Sequence, residues 1–221
     1  MRTEPDAGLF ITLEGVDGSG KSTQARRLCA ALEACVGEGR VVRTFEPGGW
    51  EGGAPLRRLL LDGTAQDPRT ELLLFLADRS GHLRAVIEPA LAASKLVLCE
   101  RYSDSTLAYQ CWGRGLEMDF VLGLLELCGF VRPDLTILLD IDPDEAARRL
   151  AERGRADSIE AGGMDFMRRV AEGYRELARR DPDRIITVDA SGTEDEVAAF
   201  VEAAVCRGRS AAAGWGTGCK T

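Results

Sequence analysis

Five short apolar runs divide the chain: LFITLE (9–14), VVRTF (41–45), KLVLC (95–99), DLTILLD (134–140) and RIITVD (184–189). Each is too short for a core helix and ends in turn formers or charges, so each reads as a buried strand. Between them apolar residues recur at spacings of three and four, the helical pattern. The first helix spans Lys21–Val36, with Leu28, Leu32 and Cys35 as its apolar stripe. EPGGWEGG (46–53) is a loop of turn formers, followed by a short helix over 54–61. A long helical pattern runs from Pro68 to about Ala93, with a bend expected at Pro89, where the N–H is missing and the ring crowds the preceding turn. Helices are expected over 103–112 and 117–128. Asp142 caps the next one, with Pro143 in its first turn. The arginine-rich RGRADS interrupts it, helix resumes over Met164–Arg180, and a last helix covers 193–203. Strands alternating with helices predict an α/β protein of three layers: a five-stranded parallel sheet flanked by helices, joined by right-handed crossovers.

The chain has 221 residues, 45% hydrophobic and 29% charged, an ordinary globular mix. That length predicts one domain over 1–206, with a short arginine-containing lid at about 151–160 and a flexible tail over 207–221. A net charge of −8 argues against a nucleic-acid partner but leaves room for a local cationic pocket that takes phosphorylated small molecules. No run of 18 apolar residues marks a membrane span, and MRTEPDAG lacks the apolar stretch of a secretory leader. No membrane partner and a cytoplasmic location are expected. Seven cysteines, none in a C-x-x-C pair, and a single histidine, His82, make no zinc ligand set. Most of the cysteines read as small core hydrophobes in a reducing compartment.

Between the first strand and the first helix lies GVDGSGKST: Gly15, Val16, Asp17, Gly18, Ser19, Gly20, Lys21, Ser22 and Thr23. It matches G-x-x-x-x-G-K-[ST] in full, in the strand–loop–helix setting that motif requires. Glycines let successive backbone N–H groups curl round a β-phosphate, and the helix aims its positive end at the same group. Lys21 can reach the β- and γ-phosphates, and the Ser22 hydroxyl can take a place on Mg2+. A nucleotide site follows, but GTPases, motors and small-molecule kinases share it. No base-reading N-K-x-D is present, which argues against a GTPase.

A second set of residues suits an acceptor. Phe75 and Arg79 lie four apart and share a helix face, as a base-stacking ring beside an anion-binding guanidinium would. They read equally as a core ring and the partner of a surface acid. Arg101 follows the third strand directly, at the carboxyl edge where open α/β sheets take ligands. Glu100 beside it suits Mg2+, Arg101, or a plain strand-end ion pair. Asp17 either faces the space between the two sites or caps its own loop. Arg153 and Arg155 suit a closing flap that brings cations and excludes water, or a solvated basic turn.

GVDGSGKSTQARRL, EPGG (46–49), LLLFLADRSGH (72–82), RYSDSTLAYQ (101–110), PDLTILLD (133–140) and RGRADSIE (153–160) fall in one order. In these blocks the chain resembles the bacterial thymidylate kinases, P-loop nucleoside-monophosphate kinases, from about Leu9 to Val201. The resemblance implies the P-loop NTPase fold, an ATP–Mg2+ donor, dTMP as acceptor and a homodimer. It implies catalytic roles for Lys21, Asp17, Arg101, Arg153 and Arg155. Phe75 would stack on thymine, Arg79 bond the base, and Arg101 hold the acceptor phosphate. Ser105 and Thr106 would line the base side, Tyr109 pack under the deoxyribose with Gln110 close by, and Glu46 sit near the acceptor. Ser22 and Glu100 are the metal candidates. Another pyrimidine deoxynucleoside monophosphate as acceptor, or a catalytically weakened nucleotide-binding homologue, stays open. The chain departs from the family pattern at Phe45, where arginine is usual; at Trp50, where a small residue is usual; and at Gly81, where glutamine is common. Glu100 replaces an aspartate, and Asp157–Ser158 leaves the lid one arginine short.

Overall fold

The computed structural model describes residues 8–62, 67–152 and 163–211. Its five strands are β1 (Leu9–Glu14), β2 (Val41–Phe45), β3 (Leu96–Glu100), β4 (Leu135–Asp140) and β5 (Ile185–Asp189). All pair in parallel, in the order β2-β3-β1-β4-β5. Every residue of β1 is buried, as a central strand covered on both faces requires. Alternation along the strands separates two cores. Ile11, Leu13, Leu96 and Leu98 join the larger one, while Phe10, Val97 and Cys99 join a smaller one with Leu83, Ile87 and Leu91.

Helices α1 (Lys21–Val36) and α9 (Glu194–Ala211) pack together against the sheet. Helix α8 (Gly163–Arg180) packs on β4, β5 and the segment 103–113. Helix α2 (Gly53–Leu61) leans on α3 (Pro68–His82), whose start is capped by Asp67 accepting from the Thr70 N–H at 2.8 Å. Near Pro89, where a bend is expected, the helix carries a π-helical turn over Leu83–Ile87, just before α4 (Glu88–Ala92). Glu88 N–H bonds Leu83 O, five residues back, so the helix widens ahead of the proline ring. The helix expected over 103–112 is α5 (Ser103–Thr106) running into a second π-helical stretch, Leu107–Gly113. Helices α6 (Met118–Leu127) and α7 (Pro143–Glu152) follow.

Three readings change. Cys35 is exposed, because the stripe of α1 continues from Leu32 four residues on to Val36. Among the described cysteines Cys99 is buried in the smaller core, Cys29 and Cys111 are half-buried against the larger one, and Cys35, Cys128 and Cys206 are exposed; apolar sequence neighbours did not put the last three in the core. The last helix runs on to Ala211, past the expected 203. Among the described residues no helix is long and apolar enough to cross a membrane.

One buried ion pair ties the sheet to the site. Arg184, before β5, donates to both oxygens of Asp104 at 2.7 and 2.9 Å and to Thr136 Oγ1 at 2.7 Å. Asp104 is 3% exposed and belongs to α5. Arg184→Ala strands that carboxylate, and urea denaturation is expected to show a loss of about 3 kcal/mol.

Candidate active site

The carboxyl ends of β1, β3 and β2 meet along one edge. Arg101 N–H donates to Leu13 O at 2.9 Å and Glu46 N–H to Glu100 O at 2.9 Å, so the ladder carries both residues just past the strand ends. There a cavity of about 460 Å³ opens. Its wall includes Asp17, Gly18, Gly20, Lys21, Ser22 and Thr23 on one side and Glu46, Phe75, Arg79, Arg101, Ser105, Thr106, Tyr109 and Gln110 on the other. Gly15, Val16 and Ser19 complete the loop behind that wall. Gly15 O and Val16 O accept from Lys21 Nζ at 2.9 and 2.8 Å, and Asp17 Oδ1 lies 3.4 Å from it. Gly18 has φ of +87°, and a Cβ there would lie 2.3 Å from Ala146 O. A side chain at 18 would meet the α7 backbone, so the loop admits no arginine there.

At the mouth of the loop, Ser22 Oγ donates to Glu100 Oε2 at 2.7 Å, and Arg43 NH1 meets Glu100 Oε1 at 3.2 Å. Glu100 thus sits between a serine hydroxyl and an arginine from β2. The hydroxyl and carboxylate together are a pair of hard oxygens, the chemistry Mg2+ takes.

Arg101 joins the two halves. Its NH2 forms an ion pair with Asp17 Oδ1 and lies 3.2 Å from Tyr109 Oη; its NH1 is 3.4 Å from Ser105 Oγ. The guanidinium lies 4.9 Å from the centre of the Tyr109 ring. Arg101 has φ of +65°, a left-handed conformation that a non-glycine residue holds at a cost of about 1 kcal/mol or more. Asp17 therefore faces the gap.

Arg79 is 1% exposed. Nε donates to Glu46 Oε2 at 2.7 Å, NH1 to Thr106 Oγ1 at 2.8 Å and NH2 to Tyr102 O at 2.9 Å. The surface acid is excluded as its partner; the acid is Glu46, buried at the start of the 46–49 turn, where the Glu46–Pro47 peptide is cis. His82 bonds the other Glu46 oxygen at 3.0 Å and Thr44 Oγ1 at 2.6 Å. Phe75 is half-buried: it packs on the larger core and also reaches the cavity wall. Gln110 Nε2 donates to Glu71 Oε1 at 2.8 Å, and Arg114 holds Glu71 Oε2 at 2.9 Å. With its NH2 group engaged by Glu71, Gln110 has its amide orientation set.

Sequence reasoning missed several residues here. Arg57, from α2, lines the cavity, lies 5.4 Å from the Phe45 ring centre and donates to Pro47 O at 2.7 Å. Arg43, Phe45, Pro47, Leu61 and Leu150 also line it. No spacing or motif in the sequence marked Arg43 or Arg57; both reach the cavity only through the fold. Arg153, Arg155 and the rest of the expected lid beyond Glu152, like the tail from 212, lie outside the described residues.

A glycine loop of the G-x-x-x-x-G-K-[ST] pattern and an arginine-lined wall facing it in one cavity at the edge of this sheet are the layout of a P-loop nucleoside-monophosphate kinase. A sequence model of the family described as thymidylate kinase matches residues 13–201. The thymidylate kinase of Solidesulfovibrio magneticus is 48% identical over 205 residues, covering 87% of this chain and 96% of the relative. That of Deinococcus radiodurans is 44% identical over 201 residues, covering 90% and 96%. The crystal structure of thymidylate kinase from Ehrlichia chaffeensis superposes with a TM-score of 0.76 at 33% identity, covering 90% of this chain and 99% of that one. The chain belongs to the thymidylate kinase family, and its reaction is the ATP-dependent phosphorylation of dTMP to dTDP.

Beneath Arg101 lies Glu14, fully buried, accepting from Tyr102 N–H at 2.7 Å, Ser105 Oγ at 2.5 Å and Tyr174 Oη at 3.1 Å. Burial, then the Asp104 charge, push its carboxyl from 4.5 up to about 7, against the bonds from Ser105 and Tyr102 and the charge of Arg101. Between those values the folded chain binds a proton that the unfolded chain has released. The stability this supplies is full below the lower value and is lost as pH rises through the upper one. Glu14→Gln stays neutral throughout, so its melting temperature is expected to fall less than the native protein's between about pH 5 and about pH 7, by calorimetry.

Proposed function

We propose that ATP seats on residues 15–23 and dTMP across the cavity, with transfer between them in line. One observation carries this reading: the glycine loop and the aromatic–arginine set line the same cavity, joined by the Arg101–Asp17 ion pair. Phe75 offers a ring to the pyrimidine, and Arg79 and Gln110 offer oriented polar groups to its edge. Tyr109 packs against the sugar. Arg101 and Arg57 draw the acceptor phosphate, and Glu46 holds Arg79 in place. The acceptor phosphate oxygen attacks the γ-phosphorus, the bond from that phosphorus to the β-bridging oxygen breaks, and ADP leaves. That oxygen is already ionised, so no strong base is needed, and catalysis is positioning and charge stabilisation. Lys21 exchanges loop carbonyls for donor phosphate oxygens. Ser22 and Glu100 would hold Mg2+, which supplies charge neutralisation on the β- and γ-phosphate oxygens. Arg153 and Arg155 follow α7 and Leu150, a cavity residue, and belong to the charge work as lid residues.

A homodimer is part of the same reading. Leu73 on α3 and Phe120 and Leu127 on α6 are 56%, 43% and 85% exposed, and Arg69 of α3 lies 5.5 Å from the Phe120 ring centre. Large apolar side chains gathered on two neighbouring helices suit an interface between copies.

A coupled assay with ATP and Mg2+ across dTMP, dUMP, dCMP, AMP and GMP is expected to favour dTMP; a preference for a purine monophosphate contradicts the acceptor assignment. Lys21→Ala is expected to lower kcat by about a hundredfold or more while the dTMP Kd moves less than about threefold. Phe75→Ala is expected to raise the dTMP Kd by about tenfold with ATP binding unchanged. Sedimentation analysis is expected to return a dimer, which Leu73→Glu dissociates.

A further inference from the structure

The 46–50 turn is fastened to α3 by contacts that phosphoryl transfer does not use. Trp50 Nε1 donates to Asp78 Oδ1 at 2.9 Å, and Gly48 N–H donates to Asp78 Oδ2 at 2.9 Å. Asp78 is 1% exposed. Burial raises its carboxyl, and those two donors oppose the rise. The indole fits a slot with glycine walls. A Cβ on Gly81 would stand 2.3 Å from Trp50 Cζ2, and one on Gly52 2.3 Å from Trp50 Cζ3. Gly81 lies near the end of α3, where glycine costs about 1 kcal/mol relative to alanine. The indole is the reason for its presence. One side of α3 thus grips one turn at two points. Arg79 and His82 hold Glu46, while Asp78 and Gly81 hold Gly48 and Trp50.

We propose that Trp50 is a positioning residue of the acceptor site: seated against Gly81 and bonded to Asp78, it fixes the turn and through it the Glu46 carboxylate that orients Arg79. This role rests on the reading of the cavity as the dTMP site. It also gives the two departures at 50 and 81 a single cause, since the large side chain at one position occupies the space emptied at the other.

A double-mutant cycle tests it, with melting temperature and calorimetric Kd values for dTMP and ATP as readouts. Alone, Gly81→Ala is expected to lower the melting temperature and weaken dTMP about fivefold, with ATP within about twofold. In the Trp50→Ala background the same substitution is expected to raise the melting temperature, because only helix propensity is left, and to leave dTMP binding within about twofold. Trp50→Phe keeps a ring and loses the N–H. It is expected to raise the dTMP KM about threefold with kcat within about twofold, a split that general loosening would not produce. A melting-temperature change of the same sign in both backgrounds overturns the fit of Trp50 to Gly81. A dTMP Kd unmoved in every variant, with native binding intact, overturns the link to the acceptor. Native protein that binds ATP but not dTMP strikes instead at the acceptor-site reading, and the melting-temperature arm still decides the fit.

Discussion

Arg79 carries a full charge into a place with 1% of its surface open to water. A guanidinium cannot shed that charge as a lysine or histidine can. Left without acceptors there, it would cost several kcal/mol, so the chain must converge on it. It does so from separate parts of the fold. Glu46 arrives from the end of β2, Thr106 from α5, and Tyr102 O from the bend after β3. The rings of Tyr102 and Phe130 flank the guanidinium, with centres at 4.9 and 5.7 Å. One buried cation therefore sets the spacing between the turn after β2, the last turn of α3 and the cavity wall after β3.

Arg101 applies the same logic across the cleft. Its partners come from the glycine loop and from the helical segment after β3, so the two sides of the cavity share a charge. Glu100, one residue earlier, points instead to Ser22 and Arg43. Neighbouring residues at a strand end thus engage two different sets of partners. The left-handed backbone at Arg101 is where the chain turns from one to the other. Both halves rest on a sheet edge whose hydrogen-bond ladder continues past the strands.

What was legible in the chain was local. The glycine loop is contiguous, and the strands are contiguous apolar runs, so both emerged with bounds close to those observed. Spacing put Phe75 and Arg79 on one face, but the acid that holds Arg79 is 33 residues away in a loop, and no periodicity reports such a partner. His82 showed only as the single histidine of the chain; its bonds to Glu46 and Thr44 come from the folding back of the turn. Arg57 reaches the cavity from α2 for the same reason, and nothing in that short helix marks it. The cysteines misled because apolar neighbours along a chain are not burial in space: one step around a helix takes Cys35 from the core to water. The π-helical turns left no trace, since they keep near-helical spacing of apolar residues.

Those turns reach beyond geometry. The widened stretch Leu107–Gly113 holds Tyr109 and Gln110, two consecutive residues that both meet the cavity. A π-helical turn is an α-helix carrying one surplus residue. Losing a single codon there would restore ordinary winding and swing the downstream residues by about 100°. A one-residue deletion there would therefore turn one part of the cavity wall relative to the rest, a larger displacement than any single substitution makes.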